Sequence, residues 1–179
     1  MRGLRRALCA GLLILTGNAE AADVAATYSA LHLSGETVSG VGAAASWPVG
    51  QAFRIGLSGS WQSGSLAGED LSEWGVFGGP SWTPRRAHTL SPFLEAGVGL
   101  VRSRRQLEVF GVALGPDGVC EGGCPSDTAF AAELGGGLDV RLSGHFALRV
   151  FEVDYRYTTL ADDASRLRFA AGLVWRAGR

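Results

Sequence analysis

Phe130-Ala131-Ala132-Glu133-Leu134-Gly135-Gly136-Gly137-Leu138-Asp139-Val140-Arg141-Leu142 alternates along its whole length. Its even positions are Phe, Ala, Leu, Gly, Leu, Val and Leu, and its odd ones include Glu133, Gly135, Gly137, Asp139 and Arg141. Successive side chains of a strand point to opposite faces, so this period of two predicts a strand with one apolar face and one charged or small face.

The same pattern recurs in both directions. Leu167, Phe169, Ala171, Leu173 and Trp175 oppose Arg166, Arg168, Ala170, Gly172 and Val174; Phe53, Ile55, Leu57, Gly59 and Trp61 oppose Arg54, Gly56, Ser58, Ser60 and Gln62. Trp74, Val76 and Trp82 oppose Glu73, Gly75, Gly79 and Ser81, while Leu94, Ala96, Val98 and Leu100 oppose Glu95, Gly97 and Gly99. Val41 to Trp47 alternates more weakly. Val24 to Leu33 reads as a strand of open parity, and Phe146 to Tyr157 is clear only in its second half, where Phe151, Val153, Tyr155 and Tyr157 oppose Glu152, Asp154 and Arg156. Eight strands are expected, joined by inner turns at 48–51, 84–90 and 143–145 and outer connections at 34–37, 63–71, 111–127 and 159–165. Short turns at one end and longer loops at the other predict an all-β, eight-stranded, antiparallel up-and-down barrel.

Polarity decides what surrounds it, because a soluble barrel has the same period with its faces reversed. Trp47, Trp61, Trp74, Trp82 and Trp175 lie at or near strand ends and on the apolar face. Tyr155 and Tyr157 share that face. A lipid-facing barrel places its aromatic girdles there. Trp74 and Trp82, eight residues apart, would be separated by about 27 Å along the strand and roughly 20 Å along the membrane normal. The opposite face then lines an interior that has space for side chains only. It carries Glu73, Glu95, Glu133, Asp139, Glu152 and Asp154 against Arg54, Arg141, Arg156, Arg166 and Arg168. Unpaired buried charge costs several kcal/mol per group, so an ion-paired, plugged interior is expected.

The 179 residues allow one domain. Arg2, Arg5 and Arg6 precede the apolar run Ala7 to Thr16 and then Asn18-Ala19-Glu20-Ala21-Ala22, the pattern of a signal peptide over residues 1–21. The run is far shorter than the roughly 20 residues of a spanning helix. Residues 22–179 form the expected barrel domain, and the chain leaves no room for an appended cell-wall domain. Losing three arginines and Glu20 shifts the formal charge from −1 to −3, which points away from nucleic acid. Lys is absent. Cys9 leaves with the signal. Cys120 and Cys124 in an exported chain favour a local disulfide; without a nearby His they supply half a tetrahedral shell, and no metal or cofactor site is read.

Gly135 to Leu142 continuing through Phe146 to Tyr155 resembles the closing hairpin of small outer-membrane barrels of the opacity-protein and outer membrane protein A type. Thr27-Tyr28-Ser29 and Gly172-Leu173-Val174-Trp175 are similar to that family too. The resemblance implies the eight-stranded transmembrane fold and an assembly signal at Gly172 and Trp175 that is read by the outer-membrane assembly machinery. The aromatic expected at Ala177 is missing.

Catalysis finds little support. A lipid A-modifying enzyme would need a nucleophile beside a base, and His32, His88 and His145 lie in no nucleophile motif. Glu152 and Asp154 could be paired catalytic carboxylates, but ion pairing with neighbouring arginines is the simpler reading. Arg102, Arg104 and Arg105 cluster at the outer end of the fifth strand; Arg102 and Arg104, on the outward parity, read either as a solvated strand extension or as contacts for lipopolysaccharide phosphates. The expected function is a non-enzymatic, monomeric surface barrel acting structurally or through outer loops whose ligand is open. A lipid A-modifying enzyme and a narrow small-solute channel are the alternatives.

Overall fold

The computed structural model describes residues 22–33, 36–66, 69–84, 88–109, 112–115, 118–119, 126–159 and 165–177. Eight long strands form the barrel: β1 (Asp23–Leu33), β2 (Glu36–Pro48), β3 (Phe53–Leu66), β4 (Glu69–Trp82), β5 (Leu90–Val109), β8 (Ser126–Arg141), β9 (Phe146–Thr158) and β10 (Ser165–Arg176). Of two short strands, β6 (Val112–Gly115) pairs with the far end of β5 and β7 (Gly118–Val119) pairs with β6. Every barrel pairing is antiparallel between neighbours in sequence, and β1 with β10 closes the ring. The fold is an up-and-down barrel with no open edge.

Strand ends differ from the sequence expectation. The β1–β2 connection is 34–35 rather than 34–37, and β3 and β4 stay paired out to Leu66 and Glu69, leaving 67–68 where a loop over 63–71 was expected. The longest outer connection is not plain loop, since β5 runs on to Val109 and β6 and β7 fold back on it. Polar residues at the rim hid these extensions. Once outside an apolar layer a ladder continues without alternating hydrophobicity.

The pairing also yields the barrel's geometry. From Tyr28 the ladder runs one way through Val41, Trp61, Trp74 and Arg102 to Thr128 on β8. The other way it passes Ala171 and the irregularity opposite it, and reaches Leu138 on that same strand. The ten-residue offset between Thr128 and Leu138 is the shear, which for eight strands means a tilt of about 40°.

The open parity of β1 resolves: Ala25, Ser29 and Leu31 are buried inside, while Val24 and Tyr28 face out. The ambiguous half of β9 has a physical cause. Leu138 pairs with Phe151 but Asp139 pairs with Arg149, so Val150 and Phe151 are both exposed on the outside. This is a β-bulge, and one extra residue reverses the parity of everything before it. Outside, the wall is apolar throughout, with Leu134 at 65% and Val98 at 57% exposure. An exposed apolar belt of this extent is unusual for a protein surrounded by water.

Candidate functional site

Cross-strand register sets the interior. Glu133 on β8 lies opposite Arg156 on β9, Asp139 opposite Arg149, and Arg168 on β10 opposite Asp154. Each opposition becomes an ion pair: Arg156 Nε with Glu133, Arg149 Nε with Asp139 at 3.0 Å, and Arg168 with Asp154 at 2.5 Å. Glu152 joins two of these, accepting from both Arg149 and Arg168. Further contacts reach across the lumen, where Arg166 pairs with Glu73, and Arg156 donates to Ser60 Oγ at 3.1 Å. Near the end that carries both termini, Arg54 reaches Asp23 at 3.4 Å and donates to the Ser46 carbonyl at 2.6 Å. Arg141 takes the inward parity at the same end, opposite Ala147.

Two arginines also stack on inward rings, Arg149 over Phe93 at 4.1 Å and Arg156 over Phe77 at 4.7 Å. Glu95 approaches Glu133 and Asp154, with one oxygen of each within 4.8 Å of the others. Arg156 and Arg168 compensate two of the three. Glu95 itself makes no hydrogen bond or ion pair among the described residues and faces a cavity of about 80 Å³, room for a few waters. The cavity occupies the inner half of the barrel. At the outer end Leu31, Val38 and Leu71 form a buried apolar cluster, and Gln62, fully buried beneath it, donates to Ser29 Oγ at 3.4 Å. Among the described residues the lumen thus holds a polar-lined cavity below and an apolar cluster above.

Three interior charges were missed in the sequence. Arg149 was hidden by the bulge; Asp23 stands at the start of the strand whose parity was open; Arg176 continues the Arg166, Arg168, Ala170, Gly172, Val174 face by one more step and contacts Asp139 at 3.5 Å. Extending that alternation would have found Arg176. With these three the inward charge is seven acidic against seven basic groups among the described residues.

On the outside, the ladder and tilt arrange the aromatics in two levels. Climbing about 3 Å per strand from β1 towards β5 puts Trp61, Trp74 and Tyr157 at one height and Trp47, Trp82 and Trp175 roughly 20 Å below. Tyr155 lies just within the upper level, and Trp47 is half-buried where the others are exposed. Arg102 stands opposite Trp74, and Arg104 opposite Ser72, both exposed on the outer face. Gly172 on the last strand faces the lumen, three residues before outward Trp175.

The histidines do not converge. His32 Nδ1 contacts Thr37 Oγ1 at 3.2 Å at the outer rim, His145 lies against the Arg176 carbonyl at the inner end, and His88 is exposed in an inner turn. Cys120 and Cys124 lie outside the described residues, as do 1–21 and the Arg105 side chain.

Eight tilted antiparallel strands, an apolar outer wall between two aromatic levels and a charge-paired lumen give the architecture of small outer-membrane β-barrels. Comparison with solved structures agrees. Neisserial surface protein A has a TM-score of 0.58 at 12% identity, over 87% of this chain and 95% of that one. The outer membrane protein OprG of Pseudomonas aeruginosa gives 0.55 at 10% identity, over 88% and 96%, and Ail, the attachment invasion locus protein of Yersinia pestis, gives 0.50 at 16%, over 87% and 96%. At these identities the likeness establishes a shared fold. No protein-family description matches the chain, and no curated protein matches it in sequence.

Proposed function

We propose that this protein is a non-enzymatic barrel of the bacterial outer membrane, exported through the secretory pathway with loss of residues 1–21, that acts through its outer face rather than its lumen. The observation that carries this reading is the interior: buried ion pairs span it, its cavity of about 80 Å³ lies in the inner half, and the buried Leu31–Val38–Leu71 cluster stands at its outer end. A solute crossing the lumen would have to break buried ion pairs, and the acidic groups stand on the luminal face, opposite the apolar outer wall. What remains accessible is the outer rim, where connections and strand extensions project.

Three measurements test it. Sarkosyl-resistant fractionation with heat-modifiable gel mobility should place a compact barrel in the outer membrane, and N-terminal sequencing of the mature protein should begin at Ala22. Planar bilayers should register no discrete conductance. Lipid A mass spectra of a deletion strain should match those of its parent; a missing acyl change would turn the reading towards an enzyme. In the longest outer connection, Cys120 and Cys124 are proposed to be disulfide-bonded, so the folded protein should take up maleimide only after reduction.

A further inference from the structure

The outward column of β5 runs Leu94, Ala96, Val98, Leu100, Arg102, Arg104. Four small or aliphatic residues give way within one step to two arginines. That switch happens at a definite height, because Arg102 is the ladder partner of Trp74, which is the partner of Trp61. Below this row the wall meets hydrocarbon, and the upper aromatic level marks its limit. With both ends of the barrel's strand order at the opposite rim, and the longest connection and the β3–β5 extensions at this one, this limit is that of the outer leaflet.

Neighbouring groups shape the site. Arg102 Nε donates to Ser126 Oγ at 2.7 Å, which holds the guanidinium against β8 while its two terminal nitrogens make no hydrogen bond among the described residues. Thr128 flanks Arg102 on β8, and Ser72 flanks Arg104 on β4. Ser72 also accepts from Trp61 Nε1 at 3.2 Å, which ties the aromatic level to the same patch. Arginine presents paired donors that match phosphate oxygens.

We infer that Arg102 and Arg104 form a binding site for a phosphate of the outer-leaflet glycolipid, the lipid A portion of lipopolysaccharide, fixing one such molecule beside the Trp61–Trp74 face. The site rests on the outer-membrane reading and adds a partner to it. A soluble anion would gain no advantage from this height, whereas a lipid phosphate is delivered to it by the acyl chains packed against Val98 and Leu100.

The test uses the refolded barrel in nanodiscs, titrated with bis-phosphorylated lipid A, with dephosphorylated lipid A and with inorganic phosphate. An arginine near an anionic surface contributes on a scale that makes the double substitution Arg102→Gln with Arg104→Gln weaken phosphorylated lipid A roughly 30-fold. Dephosphorylated lipid A should bind wild type and variant alike. Equal affinity of wild type and variant for the phosphorylated form overturns the site, as does inorganic phosphate binding as tightly as lipid A. If the double variant does not refold, the single variants are read the same way, each expected to lose about half the effect on a logarithmic scale. Loss of heat-modifiable mobility in the wild type would instead refute the barrel reading, so the two failures are distinct.

Discussion

Gly135 lies directly opposite Asp154, and a Cβ there would collide with the Asp154 carboxylate. The absent side chain is what lets Asp154 sit against β8 while Arg168 reaches it from β10. Gly135→Ala should therefore push the carboxylate off its partner, with an overpacking cost of about 1–3 kcal/mol, read as a lower midpoint of heat-driven unfolding in detergent. Arg168 serves Glu152 and Asp154 together and is 4% exposed. Removing one member of a buried ion pair costs about 3–5 kcal/mol, because the remaining charge stays desolvated. Arg168→Met should lose stability on that scale, and an unfolding midpoint unchanged in urea would show the network to be dispensable.

Among the elements, β9 depends most on a local irregularity. Phe146, Leu148 and Val150 face lipid by one parity, and Phe151, Val153 and Tyr155 by the other, with the bulge between them. Deleting Val150 would remove the extra residue and leave strict alternation, with Phe151 outward and Arg149 still inward against Asp139. Such a chain should still yield a heat-modifiable species on refolding, as should Val150→Ala, which keeps the count; loss of that species in the deletion alone would show that the bulge itself is required. The β3–β4 hairpin shows the reverse. Its pairing out to Leu66 and Glu69 rests on backbone hydrogen bonds beyond the aromatic level, so alternation says nothing about where it ends.

For the whole barrel, the environment should be legible in depth-dependent costs. Leu134 is 65% exposed midway between the two aromatic levels. Leu134→Arg should cost about 2–4 kcal/mol in a bilayer, whereas Ser39→Arg, outward on β2 near the upper level, should cost at most about 1 kcal/mol. Equal costs in lipid vesicles, measured by urea titration of refolding, would mean that the apolar wall does not face hydrocarbon. The lumen imposes the opposite rule, since its seven acidic and seven basic groups among the described residues hold one another, and a neutral substitution of either sign leaves an excess behind.

The alternation through Phe130 to Leu142 and in its sister segments determined the strand type, the eight-strand count, which face meets lipid and six of the seven inward acids, because in a barrel every residue's side follows from parity alone. Parity also located the aromatic ends and the Arg102–Arg104 pair. It failed where counting fails: at Arg149, behind a bulge with no marker in side-chain chemistry, and at Asp23, on a strand end with too few neighbours to show a period; Arg176 lay one step beyond the stretch over which the last alternation was followed. Which charge meets which was never in the chain order. Glu73 with Arg166, and Arg156 with Ser60, span the lumen between strands far apart in sequence, so only closing the sheet, with its shear, brought them together.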